Sequence, residues 1–398
     1  MDLTYGKEHS QFRSEVQQFV AEHWSMNYRS DERKISKFRD LATERGYIYR
    51  WLPQVYGGSE QPTDPIRARI VSEVFDAAKA PGEIRNSGVN ILVPTLLTHG
   101  SAEQKTRFIE PTIRGHYIWC QGYSEPGSGS DLASLRTSAV LDGDEWVING
   151  QKIWTSHARK AQYMFILVRT EPDASKHAGI SYLLLDMTSP GITIRPLKQI
   201  TGEATFNEVF FNQVRTPADW IVGERGQGWK ISRTTMKHER RTIGYAPATE
   251  RLFDNLVKLA RRSSTAYGPA LQDINVLQEI TRIEGYVLAQ RAASYHQLSM
   301  AAVDQETPMF ALIAKLLATE IGHDIARLAL KLLSDEALVM PQDDTGSRPD
   351  SKWVNQFLGS LGVSIAGGTS NIQRNIIAER GLGLPRHGYE QSRTGDRK

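Results

Sequence analysis

An α+β fold, helical at both ends with a β-domain between, follows from two changes of periodicity along this chain. Up to about residue 118 the apolar residues recur at helical spacing. From about 119 to 225 they fall in short strand-like runs, and beyond Gln227 the helical spacing returns. In the first part Phe12, Val16, Phe19, Val20 and Trp24 share one helix face, as do Ile66, Ile70, Val74 and Phe75. Ser101 with Gln104 has the spacing of a capping box that opens another helix. In the middle part Asp142-Gly143 and Asn149-Gly150 are two-residue hairpin signals enclosing a strand over Glu145–Ile148. Met164–Val168, Ser181–Leu185 and Glu208–Phe211 are further apolar strands. The last part predicts long helices over about 228–262, 272–303 and 307–334, a loop over Pro341–Pro349 and a frayed polar tail after Arg386. Domains of 1–118, 119–226 and 227–398 follow from these changes, with no internal repeat.

The composition is that of an ordinary soluble globular protein. Its 398 residues are 40% hydrophobic and 23% charged, and 48 basic against 45 acidic residues leave a net charge of +3. No basic block is dense enough for a nucleic-acid interface. No apolar run reaches transmembrane length and no signal pattern opens the chain, so a cytoplasmic location is expected. The single cysteine, Cys120, excludes an intrachain disulfide. It lies in the strand-like run Tyr117–Gln121, where a buried structural thiol is expected rather than a nucleophile. No metal site is read from the sequence.

The most informative stretch is Gly122-Tyr-Ser-Glu-Pro-Gly-Ser-Gly-Ser-Asp131, followed by Lys152-Ile-Trp-Thr-Ser156. Gly127 and Gly129 allow backbone to approach a flat or phosphorylated ligand closely, and Ser124, Ser128 and Ser130 supply short donors and acceptors. A loop of this composition alone is most often an ordinary Ser/Gly turn. Its place between strands, with an aromatic and two hydroxyls following, points to a ligand site.

These motifs resemble those of the acyl-CoA dehydrogenase family, whose middle domain carries an E-P-x-x-G-S-D loop and a K-x-W-x-S/T strand around FAD. Arg45-Gly46-Tyr47, Trp51-Leu-Pro53, Tyr56-Gly-Gly58, Thr98-His-Gly100 with Glu103-Gln-Lys105, Gly226-Gln-Gly228-Trp229, and Gly368-Thr-Ser370 with Ile372-Gln-Arg374 continue the resemblance in the family's order. It implies a helical N-terminal domain, a β-barrel-like middle domain and a C-terminal four-helix bundle. The implied activity is α,β-dehydrogenation of an acyl-CoA thioester, with electron-transfer flavoprotein as acceptor. The implied cofactor residues are Gln121, Tyr123, Ser124, Gly129, Ser130, Trp154, Thr155, Ser156 and Thr369. Ser130, Arg240 and Gly367 are implied to contact substrate.

The commonest branch of the family carries its catalytic Glu in a Y-E-G-T pattern. Here that place reads Ala366-Gly367-Gly368-Thr369, and Gly367 cannot take a proton. A second branch places the Glu on the helix opening the C-terminal domain, as E-R, and His238-Glu239-Arg240 matches it. Glu239 is therefore expected as the base, roughly one turn into the helix that begins after Gly228, with His238 on another face. Taken alone, a helix Glu is a solvated charge. The family's oxyanion donor at the Gly367 position is a backbone N–H, which the change to glycine leaves in place.

The elements that family members lend to a neighbour's FAD are altered. Ser264 stands where the family has an arginine, Asn275 stands for a glutamine, and Ala337–Pro341 lacks the glycine pair, with Arg261 and Arg262 displaced by two or three residues. This resembles the heterotetrameric enzymes of bacterial steroid side-chain catabolism, in which a paralogous subunit completes each site. A homotetramer that draws its arginines from elsewhere is the alternative. Two other readings are a non-catalytic subunit, signalled by a colourless and inactive protein, and a flavin monooxygenase or nitroalkane oxidase, signalled by CoA-independent oxygen consumption.

Overall fold

The computed structural model describes residues 6–301, Gln305, 308–338 and 352–385. The chain divides into two compact units, before and after the His238/Glu239 junction. In the first unit five helices precede the sheet: α1 (Lys7–His23), α2 (Glu32–Glu44), α3 (Pro65–Ala78), α4 (Val93–His99) and α5 (Ala102–Ile113). The starts of α2, α3 and α5 follow from side-chain caps. Asp31 accepts from the N–H groups of Arg33 and Lys34, and Asp64 from that of Arg67. Ser101 and Gln104 form the expected reciprocal capping box. Gln104 then reaches further, donating to the carbonyls of Asp219 (2.7 Å) and Ile221 (2.8 Å), so the cap also ties α5 to the chain leaving the sheet.

Seven strands form one sheet: β1 (Trp119–Gly122), β2 (Ser138–Asp142), β3 (Glu145–Ser156), β4 (Tyr163–Arg169), β5 (Ile180–Asp186), β6 (Ile192–Leu197) and β7 (Phe206–Pro217). β4 pairs with β5 along one edge. Along the other it meets β1 in parallel and then β2 at Arg169. The sheet runs on through β3, β7 and β6 as antiparallel neighbours. Alternate residues of β4 serve different cores. Phe165 and Leu167 join the helices' core around Phe12, Phe38 and Phe108, while Met164, Ile166 and Val168 join a second core with Cys120, Leu183 and Leu185. Burial on both faces is why β4 and β5 read as unbroken apolar runs. Cys120 is 1% exposed, and that burial pushes its thiol pKa up.

Two sequence expectations are corrected. Asn149-Gly150 is not a hairpin turn: it lies inside β3, at a shift of register against β7. The Asn149 side chain accepts from the Gln213 N–H (2.9 Å), and Gly150 has φ +145 with Thr137 packed where a Cβ would stand. An Asn-Gly pair serves such a bulge as well as it serves a turn, because both need a glycine conformation. Asp142-Gly143 does mark the β2–β3 turn: Asp142 ends β2 and pairs with Glu145, with Gly143 and Asp144 between them. The helix expected over 228–262 is two, α6 (Gly228–Ile243) and α7 (Ala246–Ala260), broken at Gly244-Tyr245 ahead of Pro247, whose missing N–H suits the first turn of a new helix. Glu239 accordingly lies in the C-terminal half of α6, not one turn from its start.

In the second unit α7, a short hairpin of β8 (Ser264–Thr265) and β9 (Gly268–Pro269), α8 (Ile274–Ala301), α9 (Pro308–Leu333), α10 (Lys352–Val363) and α11 (Ser370–Ile376) follow. Helices α7 to α10 surround Phe253, Leu256, Ile283, Ile325, Leu328 and Trp353, a four-helix core. The loop over Pro341–Pro349 and the tail after Arg386 lie outside the described residues.

Replacing Gly150 by Ala should cost about 2 kcal/mol, since the new Cβ is both strained and 2.7 Å from the Thr137 Cα. Gly143→Ala meets open space at φ +65 and should cost only about 1 kcal/mol. Urea unfolding of both variants checks the order; equal costs would contradict the packing account.

Candidate active site

The Ser/Gly loop and the Trp-bearing strand are fastened to each other by a buried ion pair. Lys152 is fully buried on β3, and its ammonium donates to the Tyr123 carbonyl (3.0 Å) and to Glu125 Oε1 (2.8 Å). Glu125 also accepts from the N–H groups of Arg136 (2.7 Å) and Thr137 (2.9 Å). Burial opposes the charged form of Glu125, but Lys152 and these donors outweigh it and hold its carboxyl below the usual carboxylate range. Complete burial pulls the Lys152 pKa down to about 8, with Glu125 acting against that fall. A backbone bond from the Ile153 N–H to the Ser124 carbonyl (2.9 Å) completes the fastening. In the sequence Glu125 and Lys152 stand in the two motifs with no evident role of their own; their signal is two opposite charges flanking an otherwise apolar and small-residue pattern.

The loop's residues divide by burial. The Ser128 hydroxyl is buried and donates to the carbonyls of Asp131 and Leu132, so it shapes the loop. Ser130 and Gly129 are exposed, while Ser124 and Gln121 are half-buried. The Tyr123 ring is buried edge-on to Phe165 and Tyr182. A Cβ at Gly127 or Gly129 would meet no protein atom within 4 Å, and neither has a positive φ. Nothing in the chain's own packing asks for glycine there.

Trp154 lies in the second register shift of β3, between Lys152 and Thr155. Its φ is +59, a conformation that a bulky residue adopts only under constraint, and its side chain is 59% exposed with the ring edge-on to Phe206. The bulge turns an indole outward from a strand whose neighbours are buried. Beside it the Thr155 hydroxyl is buried without a hydrogen-bond partner among the described residues, and Ser156 is half-buried.

The second unit carries the other expected residues. Glu239 and Arg240 are half-buried on α6. Burial lowers the Arg240 pKa, the Glu239 carboxylate opposes the fall and Arg380 adds to it; the Arg240 Nε has no hydrogen-bond partner among the described residues. Gly367 and Gly368, at φ +63 and +97, form a turn ahead of α11, which Thr369 caps by accepting from the Ile372 N–H. Gln373 Nε2 donates to the Gly367 carbonyl (3.1 Å), and the buried Lys315 ammonium donates to that of Gly368 (3.0 Å).

Ser264 and Asn275 line a groove of about 780 Å³ with Tyr267, Glu279, Arg282 and Lys331. Its cations are already engaged: Arg282 pairs with Asp324 (2.8 Å) and Lys331 with Glu279 (2.6 Å). The Asn275 amide donates to Asp273 (3.2 Å). Of Ala337–Pro341, residues 339 to 341 lie outside the described residues.

A helical domain, a β-domain bearing an outward indole beside a small-residue loop, and a helical domain with a Glu-Arg pair define a flavin-dependent dehydrogenase architecture. The chain belongs to the acyl-CoA dehydrogenase family: residues 6–116, 120–214 and 226–382 match its N-terminal, middle and C-terminal domains. It is similar to the acyl-CoA dehydrogenase IpdE1 of Mycobacterium tuberculosis, 43% identical over 317 residues that cover 79% of each chain. Among solved structures it is similar to the ChsE4–ChsE5 complex of the same organism, at TM-score 0.77 and 29% identity over 97% of this chain and 100% of that one. The Tcur3481–Tcur3483 steroid acyl-CoA dehydrogenase matches at TM-score 0.77 and 28% identity over 97% and 100%. The protein is thus an acyl-CoA dehydrogenase of a family that depends on FAD. The exposed indole, the glycines that packing does not require and the orphaned Thr155 hydroxyl fit a flat, hydrogen-bonding ring system.

Glu125→Gln leaves the Lys152 ammonium buried without its counter-charge and should cost about 3 kcal/mol. Adding Lys152→Met should recover most of that loss. A double-mutant cycle by urea unfolding checks this, and strictly additive costs would show that the two side chains are not coupled.

Proposed function

We propose that this chain carries out α,β-dehydrogenation of a CoA thioester with Glu239 as the base, and that the acyl group is steroid-derived. One observation carries the assignment of the base. Glycine occupies position 367, while a half-buried carboxylate at Glu239 lies within electrostatic reach of Arg240 and Lys315. A thioester's α-proton is weakly acidic, so its removal needs a carboxylate in contact and a donor to the thioester oxygen. Glu239 Oε takes the proton from the α-carbon, and the Gly367 N–H donates to the oxygen as negative charge grows there. An acyl chain that displaces water from around Glu239 raises its pKa and strengthens it as a base. Bound FAD supplies the acceptor for the hydride leaving the β-carbon. Gln121, Tyr123, Ser124, Gly129, Ser130, Trp154, Thr155, Ser156 and Thr369 would hold it, with the Trp154 ring as a wall. Ser130 and Arg240 are proposed to contact substrate, and an electron-transfer flavoprotein to accept the electrons. The proposal of a steroid-derived acyl group rests on the relatives and on Ala366, which leaves room where the family has a tyrosine.

We further propose a paralogous partner. The groove at Ser264 and Asn275 pairs its own cations with the carboxylates of Asp324 and Glu279 and adds Asp273 to its lining, an unfavourable surface for a neighbour's pyrophosphate. The partner's arginine and glycine pair would complete the flavin site of this chain.

Glu239→Gln should keep its flavin and lose dehydrogenation by roughly 10³-fold, measured as substrate-dependent bleaching of flavin absorbance. Turnover within a few-fold of wild type would remove Glu239 from the role. The chain purified alone should hold substoichiometric FAD, and co-expression with the paralogue should give about two flavins per tetramer. One tightly bound FAD per chain in a homotetramer, read by native mass measurement with flavin quantitation, would refute the shared site.

A further inference from the structure

Lys315 is a charged residue for which neither the fold nor the proposed reaction yet accounts. It sits on α9 with 1% of its surface exposed. A lysine is seldom buried without a partner that needs it, because withdrawing an ammonium from water is costly. Its ammonium donates to the Gly368 carbonyl (3.0 Å), while the α9 backbone around it is regular, with Thr319 bonded back to the Lys315 carbonyl (2.8 Å). A peptide carbonyl alone is a modest reward for a buried cation. The compensating charge comes from α6: the Glu239 carboxylate acts on Lys315 favourably and the Arg240 guanidinium unfavourably.

The turn that Lys315 holds is intrinsically pliable. Gly367 and Gly368 both have positive φ, and glycine pairs are the most mobile of backbones. Lys315 secures the Gly368 carbonyl, and Gln373 Nε2 reaches the carbonyls of Gly367 (3.1 Å) and Gly368 (3.4 Å). Ala366 and Ser370 close the turn through bonds from their N–H groups to the carbonyls of Gly362 and Ser364. Among the described residues no backbone carbonyl accepts from the Gly367 or Gly368 N–H. The arrangement holds the turn by its carbonyls and leaves its donors for something else.

We propose that Lys315 is a positioning residue for the reaction, clamping the Gly367-Gly368 turn so that its N–H polarises the thioester while its ammonium stands as counter-charge to Glu239. This rests on the reading of Glu239 as base. One buried cation thereby serves both demands of the chemistry. It fixes the oxyanion donor through a carbonyl, and it favours the ionised form of the carboxylate that must accept the proton. Among the described residues the other charged group acting on Lys315 is Arg240 on α6, on which Arg380 in the segment after α11 acts in turn. Both are guanidinium groups that stay charged through the working pH range, so neither moves the pH profile.

The test uses the assembled flavin-loaded enzyme, comparing Lys315→Met and Lys315→Arg at equal flavin content. Lys315→Met should keep its flavin and lower kcat by about 10²-fold with a much smaller change in KM, since a misplaced donor weakens the transition state more than binding. The acid limb of its kcat/KM profile should move upward by about one pH unit, because removing a neighbouring positive charge lets Glu239 protonate at higher pH. A chromophoric aryl-acryloyl-CoA should lose the red shift that reports a polarised thioester carbonyl. Lys315→Arg keeps a cation and should leave the acid limb near its wild-type position. An unmoved acid limb together with a chromophore red shift equal to that of the wild type in Lys315→Met overturns the proposal. So does a loss of activity that merely follows loss of flavin or of folded enzyme in both variants. The two readings fail separately: an active Glu239→Gln enzyme defeats the base assignment, whereas a fully red-shifted chromophore in Lys315→Met defeats the clamp.

Discussion

The buried pair of Lys152 and Glu125 is the constraint on which the first unit's candidate site depends. The Ser/Gly loop has few apolar residues with which to hold a position of its own. Its one buried hydroxyl, on Ser128, bonds within the loop. What holds the loop is a carboxylate that receives an ammonium from β3 and two backbone N–H groups from the residues leading into β2. Because the ammonium also takes the Tyr123 carbonyl, the loop is gripped at its start and at Glu125 by a single side chain. The free energy of such a pair lies in its complete satisfaction, and each partner is destabilising without the other.

The same strand then does something a regular strand cannot. Two register shifts divide β3 against β7. The first uses glycine where Thr137 leaves no room for a side chain; the second tolerates a tryptophan at a positive φ. Strain at the second is held by regular pairing on both sides and by the buried lysine two residues before it. A large aromatic is thus presented to the surface from a strand whose other large apolar residues are buried or half-buried, and the backbone distortion is stable because its surroundings over-determine it.

The architecture was legible because periodicity is written in many residues at once. The apolar faces of α1 and α3, the capping box at Ser101 and the unbroken runs of β4 and β5 each reflect local burial that the sequence states directly. What was not legible depended on partners far along the chain. Asn149-Gly150 looks like a turn until Gln213 and Thr137 are seen to occupy the two sides of a bulge. The break after α6 needed weight on Gly244 and Pro247 against a strong apolar period on either side. The roles of Lys152 and Lys315 were invisible for the same reason. A lysine in a sequence reads as solvated surface, and only the fold shows that Glu125 and the Gly368 carbonyl have taken the place of water.

Cys120 has a practical meaning that its sequence position alone does not show. It is the chain's sole thiol, it lies inside the sheet's second core, and burial keeps the reactive thiolate scarce. Alkylating and maleimide reagents should therefore leave the native protein unlabelled. A cysteine introduced at any exposed position would be the one reactive handle on the molecule, free of background from the parent chain. Fluorophores or spin labels can then be attached singly, and distances within an assembly followed, without first having to engineer a cysteine-free protein.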